Sequence, residues 1–367
     1  MNLEYARRFA GDLMRRFPQA DDYPFHSWCY AQGFYLWGFI HLYEKTGDQA
    51  LYDYVKAYGE KHVTEDGFIP RFRGNSLDDI MAGSVIVWLY RQTGEEKYRK
   101  AATQVRRAFD DYPRNPDGGF WHARGLEGEM WVDGLFMGLM FLARYGQIVD
   151  DREYCFNETV HQLNTVFARC RKDQTGLLYH AYSANGRQEW ASRLNGCSPE
   201  VWSEGLGWYA MMLAEAAAIL PEDWPGRDSV VEQLRLLCED LLKVQDSGCG
   251  LWYQVVDKTK FKKNFHDTSG SAMFTYTLCR ARALGVIGSG AEDGENGSAA
   301  FIDGRIALAK RGLLSKCVQG MDGVHVLDAC NGLGVQRDYD SYVNFPITVD
   351  AQEGVAAVLW ALTELDA

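Results

Sequence analysis

Long runs of basic residues are missing from this sequence, where none exceeds a pair such as Arg15-Arg16 or Lys262-Lys263. The formal net charge is -12, and the sequence pI is about 5.2. A nucleic-acid-binding surface needs clustered Lys and Arg side chains, so we expect no nucleic-acid partner. An anionic ligand would have to be held by a local group of Arg and His side chains against the overall negative field.

Metal-binding and disulfide spacings are missing as well. The nine cysteines are scattered along the chain, and no two of them have CxxC spacing. An odd number without a regular framework indicates reduced thiols in a reducing compartment. We therefore predict no metal and no other cofactor.

Membrane and export signals are also missing. No stretch reaches transmembrane length without a charged residue. Residues 1–20 form an amphipathic segment that carries Arg7, Arg8, Arg15 and Arg16. This segment lacks the continuous apolar core of a signal peptide. The sequence therefore predicts a cytoplasmic protein without a membrane partner.

What the sequence does contain is an internal repeat, in which a turn with Gly leads into a short apolar and aromatic segment. The copies are Glu65–Ile69, Asp117–His122, Thr175–His180, Cys249–Tyr253 and, more weakly, Asp322–Val326. They recur at intervals of about 50 to 75 residues, which leaves room for two helices and their connections.

Helical periodicity fills the intervals between these copies. The predicted helices are Trp28–Thr46, Leu51–His62, Asp78–Thr93, Tyr98–Tyr112, Trp131–Tyr145, Arg152–Arg171, Pro199–Leu220, Ser229–Val244, Thr268–Leu284, Ala299–Cys317 and Val349–Leu365. Apolar helices alternate with amphipathic ones, which predicts an all-α toroid of five or six hairpins with an inner and an outer ring. We expect residues 1–367 to form one domain, with Gly285–Ala300 as a solvated loop. Regular strand runs and a glycine-rich phosphate loop are missing, which excludes a βαβ fold.

Asp133 is embedded in an apolar run of helix length, Gly128–Leu142, in which Glu129 at the start is the only other acid. Met130, Met137, Met140 and Phe141 share its helix face. Burial among such side chains predicts a raised pKa for Asp133, which suits a general acid. The alternative is that Asp133 caps the helix, as Asp before Gly often does.

Two neighbouring acids, Asp78 and Asp79, open another predicted helix. Ser76 is placed to cap this helix, with Asp79 in the acidic position of a capping box. We therefore expect one of the two acids to serve the helix terminus and the other to point into the cavity with Asp133. Two carboxylates that face one sugar are the general arrangement of glycoside-cleaving sites.

Further candidate ligand-binding residues lie near the same predicted end of the toroid. His122 and His180 end two copies of the repeat, and Trp202 and Trp208 lie near the start of an inner helix with Pro199 at its first turn. Aromatic rings suit sugar faces. Candidate partners for a carboxylate are Arg71, Arg73 and Arg124. No GxSxG element is present, so covalent acyl chemistry is not indicated.

The ordered motifs of the chain resemble those of the unsaturated glucuronyl and rhamnogalacturonyl hydrolases, glycoside hydrolase families 88 and 105. The segments that carry the resemblance are Trp28–Tyr30, Leu77–Ile80, Gly119–His122, Glu129–Met137, Leu178–Ala181, Ser198–Trp202, Gly207–Met211, Gln245–Asp246, Gly250–Gln254 and Thr268–Phe274. The fit is closer to family 105, and the segment from about Gly285 to Phe345 fits least. The resemblance implies an (α/α)6 barrel that acts on oligosaccharides left by polysaccharide lyases.

The resemblance also implies residue roles. Asp133 matches the acid that protonates C4 of a 4,5-unsaturated uronic acid, after which water adds at C5. Asp78 matches the second essential aspartate. Substrate-binding positions of the family fall on Tyr30, His122, Trp131 and His180. A small oligosaccharide is the implied partner, and we expect a monomer or a homodimer.

Two departures from the family leave alternatives open. Ala123, followed by Arg124, stands where the family has Lys, and Glu204 stands where it has Arg. Arg124 or Arg71 could replace one of these charges, and a different unsaturated uronide is therefore open as the substrate. Another toroid sugar enzyme, an inverting glycosidase or an epimerase that uses His122 and His180, is a second hypothesis. A non-catalytic sugar-binding relic is a third.

Overall fold

The computed structural model describes residues 3–23, 28–288 and 297–365, in which helices predominate. The helices are α1 (Glu4–Arg16), α2 (Tyr30–Thr46), α3 (Gln49–His62), α4 (Gly83–Thr93), α5 (Glu96–Arg107), α6 (Val132–Ile148), α7 (Arg152–Cys170), α8 (Ser203–Ile219), α9 (Arg227–Val244), α10 (Thr268–Ala283), α11 (Ala299–Lys316), α12 (Tyr339–Val343) and α13 (Gln352–Leu365). Short 3-10 turns cover Ala20–Asp22 and Leu77–Asp79. Half of the predicted loop at Gly285–Ala300, residues 289–296, lies outside the described residues.

Six helices that are buried on nearly all sides form the inner ring. In the order α2, α4, α6, α8, α10 and α13, each contacts the next, and α13 contacts α2, so the ring is closed. Small residues allow close approach: a Cβ added at Gly207 of α8 would lie 2.6 Å from the sulfur of Met273 on α10. The amphipathic helices α3, α5, α7, α9 and α11 each pack outside the inner helix that precedes them. The prediction of an (α/α)6 toroid is confirmed.

The sixth hairpin is formed by the two ends of the described chain. Helix α1 packs against α13 and buries Phe9 and Leu13. Arg16 forms an ion pair of 2.6 Å with Asp350, and the carboxylate of Asp12 accepts the N–H of Val324 at 3.0 Å. The sequence showed an amphipathic segment here, but the list of predicted helices did not include α1.

Strands are confined to short pairs beside the helices. The antiparallel pairs are β1 (Glu129–Trp131) with β2 (Ala181–Ser183), β3 (Cys317–Gln319) with β4 (Val324–Val326), and β5 (Ala329–Cys330) with β6 (Ile347–Thr348). In the first pair Trp131 lies opposite Ala181, directly before α6 begins. Within the described ranges no helix has both the length and the apolar character needed to cross a bilayer.

A repeated backbone hydrogen bond connects neighbouring hairpins at one end of the toroid. We call an inner helix, together with any 3-10 turn that leads into it, an inner-helix segment. The first residue of such a segment donates its N–H to a carbonyl at or just after the next copy of the Gly-aromatic repeat. The four bonds are Leu77 to His122 (3.0 Å), Val132 to His180 (3.0 Å), Ser203 to Gln254 (2.9 Å) and Thr268 to Asp328 (3.0 Å). They satisfy donors that a helix start leaves unpaired, and they hold the residue that follows each donor at the same end of the barrel.

We propose that the described chain unfolds as one cooperative domain, because α1 completes the last hairpin. Phe9→Ala should destabilise the protein by about 3–5 kcal/mol through loss of a buried ring. Tyr5→Ala on the same helix is the control, since Tyr5 is 52% exposed and Phe9 only 2%. Scanning calorimetry should show a single transition that shifts only in Phe9→Ala. A second transition that does not shift would contradict the one-domain proposal.

Candidate active site

A cavity of about 180 Å³ opens at the end of the barrel where the inner helices begin. It is lined by Tyr30, Asp78, His122, Trp131, Asp133, Met137, Trp202, Glu204, Trp208, Gly332, Leu333 and Gly334. Three of these residues stand at the first or second position of an inner helix: Tyr30 in α2, Asp133 in α6 and Glu204 in α8. Asp78 is the second residue of the 3-10 turn that precedes α4. The toroid therefore brings together four residues of which the first, Tyr30, and the last, Glu204, are 174 positions apart in the sequence.

Asp133 lies in the first turn of α6 with its carboxylate beside His180. The Oδ1 atom is 3.7 Å from Nε2 of His180, whose Nδ1 is 2.9 Å from the hydroxyl of Tyr342. Burial raises the pKa of Asp133, but the imidazoles of His180 and His122 lower it by more, so the pKa lies below the usual value. The prediction of a raised pKa is wrong, because it considered the apolar neighbours on the helix and not the two histidines from other segments.

Asp78 has a histidine of its own. Nε2 of His122 is 3.6 Å from Oδ2 of Asp78, and its ring stacks on Trp131 with centroids 4.2 Å apart. Burial lowers the pKa of His122, whereas the carboxylates of Asp78 and Asp133 raise it by more, to about 9. A Cβ added at Gly134 would lie 2.3 Å from Nδ1 of His122, so glycine after Asp133 gives the imidazole its place.

The neighbouring acids Asp78 and Asp79 have separate roles. Oδ2 of Asp79 accepts the backbone N–H of Asn75 at 2.9 Å, while Asp78 lines the cavity. Ser76 precedes the 3-10 turn without forming a side-chain cap. The predicted capping box is wrong, because Ser76 does not cap the turn and Asp79 binds the N–H of Asn75, the residue before Ser76. Asp78 faces the cavity, in agreement with the predicted division between the two acids.

A fourth acid, Glu353, lies beside the cavity, and the sequence did not point to it. It is 2% exposed, and its Oε1 accepts hydrogen bonds from the Tyr30 hydroxyl at 2.5 Å and from the Gln352 amide at 2.6 Å. The signal that could have found it is positional. Glu353 is the second residue of the last inner helix, as Asp133 and Glu204 are of theirs.

One wall of the cavity comes from the loop Gly332–Gly334, for which no sequence motif predicted a role. A Cβ added at Gly332 would lie 2.8 Å from Oε1 of Glu353 and 3.4 Å from the Tyr30 hydroxyl. The absence of a side chain therefore lets the loop pass close to these two groups. Trp208 also lines the cavity, and its ring contacts that of Phe34 at a centroid distance of 4.3 Å.

Two of the residues predicted to bind substrate do not line the cavity. Arg124 turns away from it, since Nη2 pairs with Asp111 at 2.6 Å and Nε donates to the Gly74 carbonyl at 3.1 Å. His180 is 1% exposed and lies behind Asp133. The prediction that Pro199 is the first residue of α8 is wrong, because this helix begins at Ser203. Among the described residues that line the cavity there is no Lys or Arg.

Comparison with known proteins agrees with this architecture. Residues 5–366 match the family described as Glycosyl Hydrolase Family 88. A glycoside hydrolase from family 105 of Clostridium acetobutylicum has a similar structure, with a TM-score of 0.89, 28% identity and 99% coverage of both chains. A protein of Agrobacterium fabrum is 34% identical over 236 residues, which cover 62% of this chain and 97% of that protein.

A further relative has a named activity. The unsaturated 3S-rhamnoglycuronyl hydrolase of an Alteromonas species is 25% identical over 266 residues, which cover 67% of this chain and 59% of that protein. The match to the family extends over nearly the whole chain, including every inner helix and the cavity they surround. The chain is therefore a member of glycosyl hydrolase family 88.

Proposed function

We propose that the protein removes a 4,5-unsaturated uronic acid from the non-reducing end of short oligosaccharides, with rhamnogalacturonan or pectin fragments favoured. The observation that carries the proposal is the cavity in which Asp78 and Asp133 lie among Trp131, Trp202 and Trp208. Its volume of about 180 Å³ suits a single terminal sugar, since pockets for larger ligands begin near roughly 300 Å³. Membership of the family and the named activity of the Alteromonas relative support the same substrate class.

The proposed reaction is hydration of the C4=C5 vinyl ether. Asp133 gives its proton to C4, and the electron pair of the double bond forms the new C–H bond. The positive charge that develops at C5 is shared with the ring oxygen. Water then adds to C5 and returns a proton to Asp133. The resulting hemiketal opens at the bond between C5 and the ring oxygen, and the hemiacetal left at C1 releases the next sugar.

Asp133 must hold a proton for the first step, although its pKa is lowered in the empty cavity. We propose that substrate binding raises the pKa of Asp133. The uronate brings a negative charge next to the carboxylate and displaces water, and both changes favour the protonated form. We therefore assign the uptake of this proton to the binding step, with His122 already charged because of its pKa of about 9.

Binding of an anionic sugar is favoured if one of the acidic side chains around the cavity is protonated and therefore neutral. Ser269 Oγ lies 2.7 Å from Glu204 Oε2 and 2.8 Å from Asp267 Oδ2. A hydroxyl has one hydrogen, so one of these two acids must donate its own proton to Ser269. Burial raises the pKa of Asp267, but this carboxylate also accepts the backbone N–H groups of Gly270 and Cys330, which favour its ionised form.

The neutral acid is therefore Glu204. Burial raises its pKa well above the usual value, and the charge of Glu353 adds to that effect. Glu353 has the opposite surroundings, because Tyr30, Gln352 and the backbone N–H of Gly332 all favour its ionised form. Burial raises the pKa of Glu353 as well, and we assign the proton of the Glu204–Glu353 pair to Glu204. One negative charge fewer then faces the uronate.

The substrate assignment can be tested by the loss of the vinyl-ether absorbance. Wild type should consume one or more unsaturated disaccharides from a panel made with pectin and glycosaminoglycan lyases. Asp133→Asn should lower the rate at least about a thousandfold, since the amide cannot donate the proton. Asp79→Asn is the matched control and should stay active, because Asp79 does not line the cavity. If wild type leaves the whole panel unchanged, the proposed function is wrong, and an epimerase or a non-catalytic relic is favoured. Loss of the absorbance with Asp133→Asn would contradict the role of Asp133 as the proton donor.

Proton uptake on binding can be measured by calorimetry with a disaccharide that carries a saturated uronate and cannot react. At pH 6 to 7, the binding heat of wild type should vary with the ionisation enthalpy of the buffer and report up to one proton taken up. Asp133→Asn should bind without this uptake. Equal uptake in both proteins would contradict the assignment of the proton to Asp133.

The assignment of the proton to Glu204 predicts different effects for two isosteric changes. Glu204→Gln keeps a neutral donor toward Ser269, so kcat/KM should stay within about threefold of wild type. Glu353→Gln puts an amide where an ionised acceptor is needed, so kcat/KM should fall about tenfold or more. Both variants are measured with the preferred disaccharide. The reverse order of the two effects would place the proton on Glu353.

A further inference from the structure

Asp246, Cys249 and His266 meet outside the sugar cavity, at the turn that follows α9. Nε2 of His266 is 3.2 Å from Oδ2 of Asp246 and 3.6 Å from Sγ of Cys249. All three ligand atoms lie within 4.8 Å of one another. The group is partly exposed, and none of its members lines the cavity.

The backbone holds these three side chains in place. Oδ1 of Asp246 accepts the N–H groups of Gly248 at 2.8 Å and Cys249 at 3.0 Å, which fixes the turn. Gly250 has a φ of +80° and donates its N–H to the Asp246 carbonyl at 2.8 Å. Tyr253 forms a backbone bridge with His266, and their rings lie 4.2 Å apart.

The two separations from Nε2 of His266 match edges of a zinc tetrahedron, and the oxygen and sulfur atoms lie within 4.8 Å of each other. Zn²⁺ binds His nitrogen at about 2.0–2.1 Å, carboxylate oxygen at about 2.0–2.2 Å and thiolate sulfur at about 2.3 Å. At tetrahedral angles these bonds separate nitrogen from oxygen by about 3.3–3.5 Å and nitrogen from sulfur by about 3.6 Å. The observed separations are 3.2 and 3.6 Å. The side chains therefore need little movement to receive the ion.

We propose that Asp246, Cys249 and His266 form a Zn²⁺ site whose fourth ligand is water. Cys249 is a free thiol, and it gives its proton to solvent as it binds the metal. Oδ2 of Asp246 exchanges its contact with His266 for the metal and keeps the hydroxyl of Tyr253, 3.0 Å away, as a hydrogen-bond donor. This outer partner orients the carboxylate toward the ion.

The ion would connect the end of one hairpin to the start of the next. Asp246 follows the outer helix α9, whereas His266 directly precedes Asp267, whose carboxylate caps α10. Asp267 also contacts Ser269, the partner of Glu204. Metal binding would therefore stabilise the segment from which α10 and the edge of the sugar site begin, without a part in the proposed reaction.

The site can be tested with Co²⁺, which takes the place of Zn²⁺ and absorbs light. Titration of the full-length reduced protein should give a thiolate-to-cobalt charge-transfer band and tetrahedral visible bands that saturate at one equivalent. Zn²⁺ should displace them. His266→Ala and Cys249→Ser should weaken binding at least about tenfold, and Cys249→Ser should remove the charge-transfer band. Cys317→Ser, which changes another partly buried cysteine outside the group, is the control.

Each outcome of the titration decides the proposal. The absence of saturable bands in wild type would overturn it, as would a charge-transfer band that persists in Cys249→Ser. Asp246→Asn provides a second variant, and the far-ultraviolet circular dichroism of each protein checks that it is folded. Sugar hydrolysis is not part of the readout, so failure of the metal proposal is distinguishable from failure of the proposed function.

Discussion

The backbone hydrogen bond that joins the start of four inner-helix segments to the neighbouring hairpin is the constraint on which the site depends. In the bonds from Leu77 and Val132, the acceptors are the carbonyls of His122 and His180. The same contacts therefore place each aspartate, which follows its donor, beside the histidine that supplies the acceptor. Because the contact is made by backbone atoms, the side chains at these positions are free to carry the chemistry.

The second organising fact is how the fold distributes charge among the buried acids. Asp133, whose pKa is lowered, and Asp78 each lie beside an imidazole, that of His180 and that of His122. Glu353 is surrounded by donors, whereas Glu204 faces a serine hydroxyl that is already committed to Asp267. Four carboxyl groups can share one end of a barrel only because their partners differ, since unpaired buried charges are costly. The proposed reaction uses this arrangement, because the negative charge of a bound uronate favours the uptake of a proton by Asp133.

Much of the architecture could be predicted because it rests on local patterns. Helical periodicity located all the inner helices to within a few residues, and the Gly-aromatic repeat indicated their cyclic arrangement. Helix α1 escaped the list because nothing local shows that an amphipathic segment at one end packs against α13 at the other. The two aspartates of the cavity followed from motif and family resemblance. Glu353 and the Gly332–Gly334 loop did not, because their importance comes only from their contact with Tyr30 and the cavity.

By itself, the sequence determined the helices, the toroid and the family, because periodicity, repeats and ordered motifs are properties of the chain. Tertiary structure decided which charged groups are neighbours and the separations between their atoms. It reversed the predicted pKa shift of Asp133, since the histidines that lower the pKa come from other segments. It also turned Arg124 toward Asp111 and brought His266 to Asp246 and Cys249. Charge interactions act through space, and only the folded chain determines which groups lie within reach of one another.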